Sequence, residues 1–190
     1  MRLVSLSIVT SLCLAAGLAA QDNGVVLDSN TAYYEGESLR YVFPAPKGFR
    51  MVTDEAAGDG YSFAFVPKVD DYSSAMMMIG VNIYKIRGID FDSVLVQDTL
   101  SIRKHYGADI LIRPVDSVFA GSGEAITAFY LDSKQRFIPN VMLSYFDGKT
   151  ELIIFELVID PNALRPKTEE IYLACIQDFR ALKRGTLGRR

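Results

Sequence analysis

The chain has 190 residues, and its 20 Lys and Arg against 23 Asp and Glu give a formal net charge of −3. A mildly acidic chain has no basic excess for phosphate contacts, so we expect no nucleic acid partner. The length suits one domain whose apolar core can hold it together without disulfides.

The first twenty residues have the composition of a secretory signal peptide. Arg2 supplies a positive start, residues 4–14 are mostly apolar, and residues 15–20 are mostly small. This order predicts a cleavable signal over residues 1–20. A cut after Ala19 suits the small-residue positions better than a cut one residue later. The alternative, a buried N-terminal helix, lacks a helix-start cap.

Cleavage of this signal would place the protein outside the cytoplasm, in the periplasm or the extracellular space. It would also remove Cys13 and leave Cys175 as the single cysteine, so no intrachain disulfide is expected. No later run approaches 18 apolar residues, so we expect no membrane span after cleavage.

The strands are predicted from short apolar runs bounded by turn residues. Residues 21–37 form a polar N-terminal segment. Residues 54–60, rich in acids and Gly, and the acidic residues 70–74 are predicted loops. Asp147-Gly148 between two apolar runs is a strong hairpin signal. The predicted strands are residues 39–43, 49–52, 61–66, 75–86, 110–112, 116–120, 124–131, 141–146 and 152–159.

Two helices are predicted from apolar residues at spacings of three and four. The first covers residues 90–106, begins at an acidic cap, ends before Gly107, and carries a stripe of Leu95, Thr99, Ile102 and Tyr106. The second covers about residues 168–183, with a stripe of Ile171, Cys175, Phe179 and Leu182.

These elements predict an α+β fold of one domain. The strands at residues 75–86 and 152–159 are apolar on both faces, so they need cover on both sides. We therefore expect a central antiparallel sheet of about six strands flanked by helices on both faces, an α/β/α sandwich. The domain is expected to cover residues 38–184, followed by a basic tail at residues 185–190.

The layout resembles the PsbP-like family. The resemblance rests on the strand and Pro-containing turn of residues 39–49, on the long strand 76–84 feeding the helix 91–106, and on residues 176–180 of the closing helix. It covers roughly residues 38–183, and Phe49 stands where many relatives carry Trp. The family includes a photosystem II accessory protein, a nuclear factor that binds the Ran GTPase, and exported bacterial proteins. The resemblance implies a scaffold that binds proteins, and it carries over no functional residue.

No reactive constellation is predicted. His105 is the only histidine, and beside Lys104 at a helix C-terminus it suits the helix dipole. Ser101 and Lys104 match a Ser-x-x-Lys spacing, but the accompanying elements of penicillin-binding enzymes are missing from the sequence. We therefore expect no catalytic residue and no cofactor.

Two groups of side chains are candidate binding residues. Acids in two neighbouring loops offer the oxygen ligands that calcium prefers, although solvated acidic turns are the favoured explanation. These weak metal candidates are Asp54, Glu55, Asp59, Asp70 and Asp71. Tyrosines in polar segments suit protein interfaces, or else ordinary packing of loops over the sheet. These interface candidates are Tyr33, Tyr34 and Tyr72.

The sequence therefore predicts an exported, non-enzymatic accessory or protein-binding domain with a protein partner. The alternative is an exported domain that binds a small ligand or calcium. A hydrolase ranks third.

Overall fold

The computed structural model describes residues 25–28, 30–86, 88–132, 138, 140–160 and 165–183. The predicted signal peptide at residues 1–20 and the predicted basic tail at residues 185–190 lie outside these ranges. In chain order the described elements are β1 (Val25–Asp28), β2 (Thr31–Glu35), β3 (Leu39–Pro44), β4 (Phe49–Val52), α1 (Asp54–Gly58), β5 (Phe63–Pro67), β6 (Met77–Lys85), α2 (Phe91–Tyr106), β7 (Leu111–Val115), β8 (Thr127–Asp132), β9 (Asn140–Asp147), β10 (Glu151–Ile159), α3 (Arg165–Asp178) and β11 (Arg180–Lys183).

The strands form two sheets. The larger sheet has seven strands in the order β4-β5-β6-β10-β9-β8-β7, and the smaller has four in the order β1-β2-β3-β11. The ladders are antiparallel. The last described strand, β11, lies at the edge of the smaller sheet and pairs with β3.

Strand β10 is the centre of the larger sheet, and all nine of its residues are buried. Phe155 lies opposite Val81 of β6 and Ser144 of β9. The predicted hairpin at Asp147-Gly148 is confirmed, because β9 and β10 pair across it and the Gly148 N–H donates to the Glu151 carbonyl at 2.8 Å. As predicted, β10 is covered on both of its faces.

One face of the larger sheet is covered by the smaller sheet together with α3. Phe179, which follows α3 directly, lies at the middle of this layer. Its ring centroid is 5.0 Å from that of Phe43 on β3, 5.2 Å from that of Phe146 on β9 and 5.2 Å from that of Phe155 on β10. Burying an aromatic side chain of this size stabilises the fold by about 1.5–3 kcal/mol.

The opposite face of the larger sheet is covered by α2 and α1. Val94, Ile102 and Tyr106 of α2 pack against Leu152 and Ile154 of β10. A second apolar group on the same face places the short helix α1 over the far end of β10. None of the helices in the described ranges has both the length and the apolar content needed to cross a lipid bilayer.

The mixed α+β fold is confirmed, but the predicted arrangement of its layers is not. In place of one sheet of about six strands between helices, the described residues form a seven-stranded sheet and a second, four-stranded sheet. One face of the larger sheet is covered by that second sheet as well as by a helix. The smaller sheet was missed because residues 25–28 and 31–35, expected in the polar N-terminal segment, form β1 and β2.

Three further elements differ from the prediction. Residues 116–120, expected as the first strand of a hairpin with residues 124–131, form no strand, and Phe119 makes an isolated bridge with Ala125 instead. Residues 54–58, expected in a loop, form the short helix α1, whose first turn carries Asp54 and Glu55. The closing helix ends at Asp178, and residues 180–183 form β11. A helical stripe was expected there, but the backbone of β3 offers hydrogen bonds that a strand alone can take.

Candidate functional site

A buried polar layer lies between the larger sheet and the helices on its α2 face. Glu156 of β10 is fully buried, and its Oε2 accepts a hydrogen bond of 3.0 Å from the Tyr61 hydroxyl. Asp98 of α2 is 2% exposed, and its Oδ2 accepts a hydrogen bond from the Tyr145 hydroxyl of β9. Asn82 of β6 is also buried on this face, opposite Ile154.

Burial governs the protonation of the Asp98–Tyr145 pair. Loss of solvation raises the pKa of Asp98 to about 6, while the hydrogen bond from Tyr145 acts in the opposite direction. Burial, followed by the charge of Asp98, raises the pKa of Tyr145 well above its ordinary value. Since both side chains are at most 2% exposed, a substrate has no access to them. Their role in this structure is to fasten α2 to the sheet.

The outward side of α2 presents an apolar surface to solvent. Val96 is 57% exposed and Leu100 is 55% exposed. Together with Leu95, Thr99 and Arg103 they line a shallow cavity of about 260 Å³. We call this surface, with the exposed Asp92 added at its N-terminal end, the α2 stripe.

The predicted inward stripe of α2 is correct in its second half, where Ile102 and Tyr106 are buried. In its first half the buried residues are Val94 and Asp98, while Leu95 and Thr99 are only partly buried, with Leu95 packed at the margin of the core. Both stripes have spacings of three and four residues, and the polar Asp98 concealed the correct one. The exposed apolar surface could have been found by asking which apolar residues of α2 the buried stripe leaves out.

The five acids proposed for calcium do not form a metal site in the described part of the chain, where no group of three or more His, Cys, Asp or Glu side chains is placed to hold a metal ion. Asp59 instead accepts a hydrogen bond of 2.8 Å from the Tyr72 hydroxyl. Asp54, Glu55 and Asp71 are exposed, and the backbone carbonyl of Asp70 accepts from Arg50 at 3.3 Å. Calcium binding stays a prediction that this geometry does not support.

The three candidate interface tyrosines are placed differently from one another. Tyr34 was expected in an exposed polar segment, but it is 2% exposed because β2 turns it into the core, where its ring stacks on Tyr41 at 5.9 Å. Tyr33 is half-buried on the same strand. Tyr72 is half-buried and bonded to Asp59. The structure does not bring the three together into one surface.

The remaining chemical candidates lie apart. His105 is exposed at the end of α2, with its ring edge-to-face with Tyr106 at 4.7 Å. Cys175 of α3 is buried, and burial raises the pKa of its thiol.

Comparison with known proteins finds similarity among solved structures. No family model and no curated protein matches the chain. Among solved structures, the solution structure of cyanobacterial PsbP (CyanoP) from Synechocystis sp. PCC 6803 is similar, with 12% sequence identity and a TM-score of 0.48, over 82% of this chain and 94% of that chain. The resemblance to PsbP-like proteins is confirmed to this extent. At such identity the similarity concerns the fold alone.

Proposed function

We propose that this chain is an exported, non-enzymatic accessory protein that binds a protein partner through the α2 stripe. The observation that carries the proposal is the exposure of Val96 and Leu100 at the centre of the stripe. Export is proposed from the signal-like composition of residues 1–20, with the periplasm or the extracellular space as the destination.

The composition of the α2 stripe is that of a small interface. Apolar side chains occupy its middle, and the charged Asp92 and Arg103 lie at its two ends. Protein interfaces commonly have an apolar centre and a polar rim, and a cluster of exposed apolar side chains often marks a binding site.

The surface is also held rigid before any partner arrives. Val94, Ile102 and Tyr106 fix α2 against the sheet, and the bond between Asp98 and Tyr145 adds a polar attachment. A preorganised helix loses little conformational entropy on binding, so a modest apolar area contributes more to affinity.

The test is site-specific photo-crosslinking in the cells that make the protein. A photoreactive amino acid at Leu100 is expected to yield a discrete covalent adduct with a polypeptide. The same amino acid at Glu124, which is exposed on a turn outside α2, serves as the control. Adducts at Leu100 no more abundant than those at Glu124 would contradict the proposed function.

A further inference from the structure

The residues of the α2 stripe form a self-complementary pattern along the helix. Its six residues are symmetric about the midpoint between Gln97 and Asp98. Asp92 corresponds to Arg103, an acid to a base. The other two correspondences join residues that are apolar or carry a methyl group: Leu95 with Leu100, and Val96 with Thr99.

Such a pattern suits an antiparallel pair of identical helices. A two-fold axis through the midpoint brings each residue of one helix opposite its counterpart on the other. The contact between Asp92 of one copy and Arg103 of the other copy therefore forms twice. A two-fold interface requires this kind of self-complementarity, because the same surface serves on both sides. A parallel pair would instead place Asp92 against Asp92 and Arg103 against Arg103.

The spacing along the stripe is also that of a helix–helix seam. Asp92, Val96, Thr99 and Arg103 follow one another at intervals of four, three and four residues. This is the repeat by which packed helices keep one side facing a partner. An antiparallel arrangement additionally opposes the two helix dipoles.

The charged ends of the stripe are available for such pairing. Asp92 and Arg103 are both exposed, and within the ranges that the structure describes neither takes part in an ion pair. The apolar centre is available too, since Val96 and Leu100 are more than half exposed.

We infer that the partner at the α2 stripe is a second copy of this chain, docked antiparallel about a two-fold axis between Gln97 and Asp98. This inference rests on the proposed function and names the partner of the same surface. The helix has 16 residues and is therefore about 24 Å long. A pair of helices this short buries roughly half of a standard interface of about 1,600 Å². The dimer is accordingly weak and depends on protein concentration.

The test is sedimentation equilibrium across a range of protein concentrations. It uses the protein purified in the form that its host cell produces. The unaltered chain is expected to pass from monomer to dimer. Asp92→Lys and Arg103→Glu each place like charges opposite one another twice, and each is expected to weaken the dimer by at least about tenfold. Asp109→Lys and Lys68→Glu are matched controls, since both residues are exposed and lie outside the stripe.

Variants with exchanged charges test whether the two helices are antiparallel. An equimolar mixture of Asp92→Lys and Arg103→Glu chains is expected to form a heterodimer, because both contacts then join opposite charges. The double variant, Asp92→Lys with Arg103→Glu, is expected to regain the homodimer. Circular dichroism of each variant shows whether α2 stays folded. Weakening by single variants without rescue in the mixture would overturn the antiparallel arrangement.

The outcome also separates this inference from the proposed function. A chain that stays monomeric at all concentrations overturns the inference. If the photoreactive Leu100 variant then captures a different polypeptide, the docking function stands and only the identity of the partner is wrong. If it yields no adduct beyond the control, the docking function fails as well.

Discussion

Tyr41 and Glu151 are 110 positions apart in the sequence, and a buried hydrogen bond of 2.9 Å joins the Tyr41 hydroxyl to Glu151 Oε2. This contact connects β3 of the smaller sheet to the first residue of β10 in the larger one. The Glu151 carboxylate also accepts from the Glu37 backbone N–H at 2.7 Å and from the Thr150 hydroxyl at 2.7 Å. A buried acid is thereby given three donors, and it anchors one sheet to the other.

The bond between the sheets predicts the effect of Tyr41→Phe. The substitution keeps the ring packing and removes one donor from a fully buried carboxylate, so we expect a loss of about 1–3 kcal/mol in the free energy of unfolding. Urea denaturation measures it. Tyr33→Phe is the control, because Tyr33 is half-buried on the neighbouring strand β2. Equal stability changes in the two variants would show that the Tyr41 hydroxyl does not hold the sheets together.

The close packing around Gly80 in the polar layer predicts that a larger side chain at this position destabilises the fold. A Cβ atom at Gly80 would lie 2.3 Å from the Tyr61 ring, which donates to Glu156 through its hydroxyl. Gly80→Ala must displace that ring, so we expect destabilisation by about 2 kcal/mol or more, measured by thermal unfolding.

Gly58→Ala is the matched control for Gly80→Ala. Gly58 ends α1, and a Cβ atom there meets nothing within 4 Å. Because alanine favours the helix, its variant is expected to be as stable as the original chain or slightly more stable. If Gly80→Ala proved equally harmless, the contact between Tyr61 and Gly80 would not constrain the fold.

Asp98 predicts a specific dependence of stability on pH. Its folded pKa of about 6 lies above its ordinary value of 3.8, so the folded state holds this proton more tightly than the unfolded state. The resulting stabilisation is complete below pH 3.8 and is lost as the pH rises through about 6. Above that pH the buried carboxylate is unfavourable by on the order of 2–3 kcal/mol.

Asp98→Asn isolates this effect because it cannot ionise and still accepts a hydrogen bond from Tyr145. Urea unfolding of both chains at several pH values between 4 and 7.5 gives the difference in stability. We expect the Asn variant to gain on the original chain as the pH rises. A difference that stays constant across this range would mean that Asp98 does not change its charge there.

The cysteines predict a thiol count that tests export. Cys13 lies in the predicted signal peptide and Cys175 in α3. After cleavage the purified protein is expected to show one reactive thiol per chain in denaturant, and its mass should match a chain beginning at Ala20 or Gln21. Two thiols and the full-length mass would rule out the signal. In the native protein Cys175 is expected to react slowly with disulfide reagents, because burial raises the pKa of its thiol.

Several elements were determined by the sequence alone because they depend on near neighbours. The β9–β10 hairpin follows from Asp147-Gly148, and β10 was predicted to be covered on both sides because apolar residues occur on each of its two faces. The limits of α2 were predicted from local signals as well. Asp90 caps its start by accepting from the Ser93 N–H at 2.9 Å, and Gly107 ends it with a φ of 103°.

Only the tertiary structure decided which surfaces meet. The strand β11, the burial of Asp98 and Glu151, and the outward position of Val96 depend on contacts between residues far apart in the chain. A spacing of three and four residues shows that one side of a helix is buried. It does not show which of two overlapping stripes forms that side. The packing partner decides that, because a buried acid is tolerated only where a donor such as Tyr145 lies opposite it.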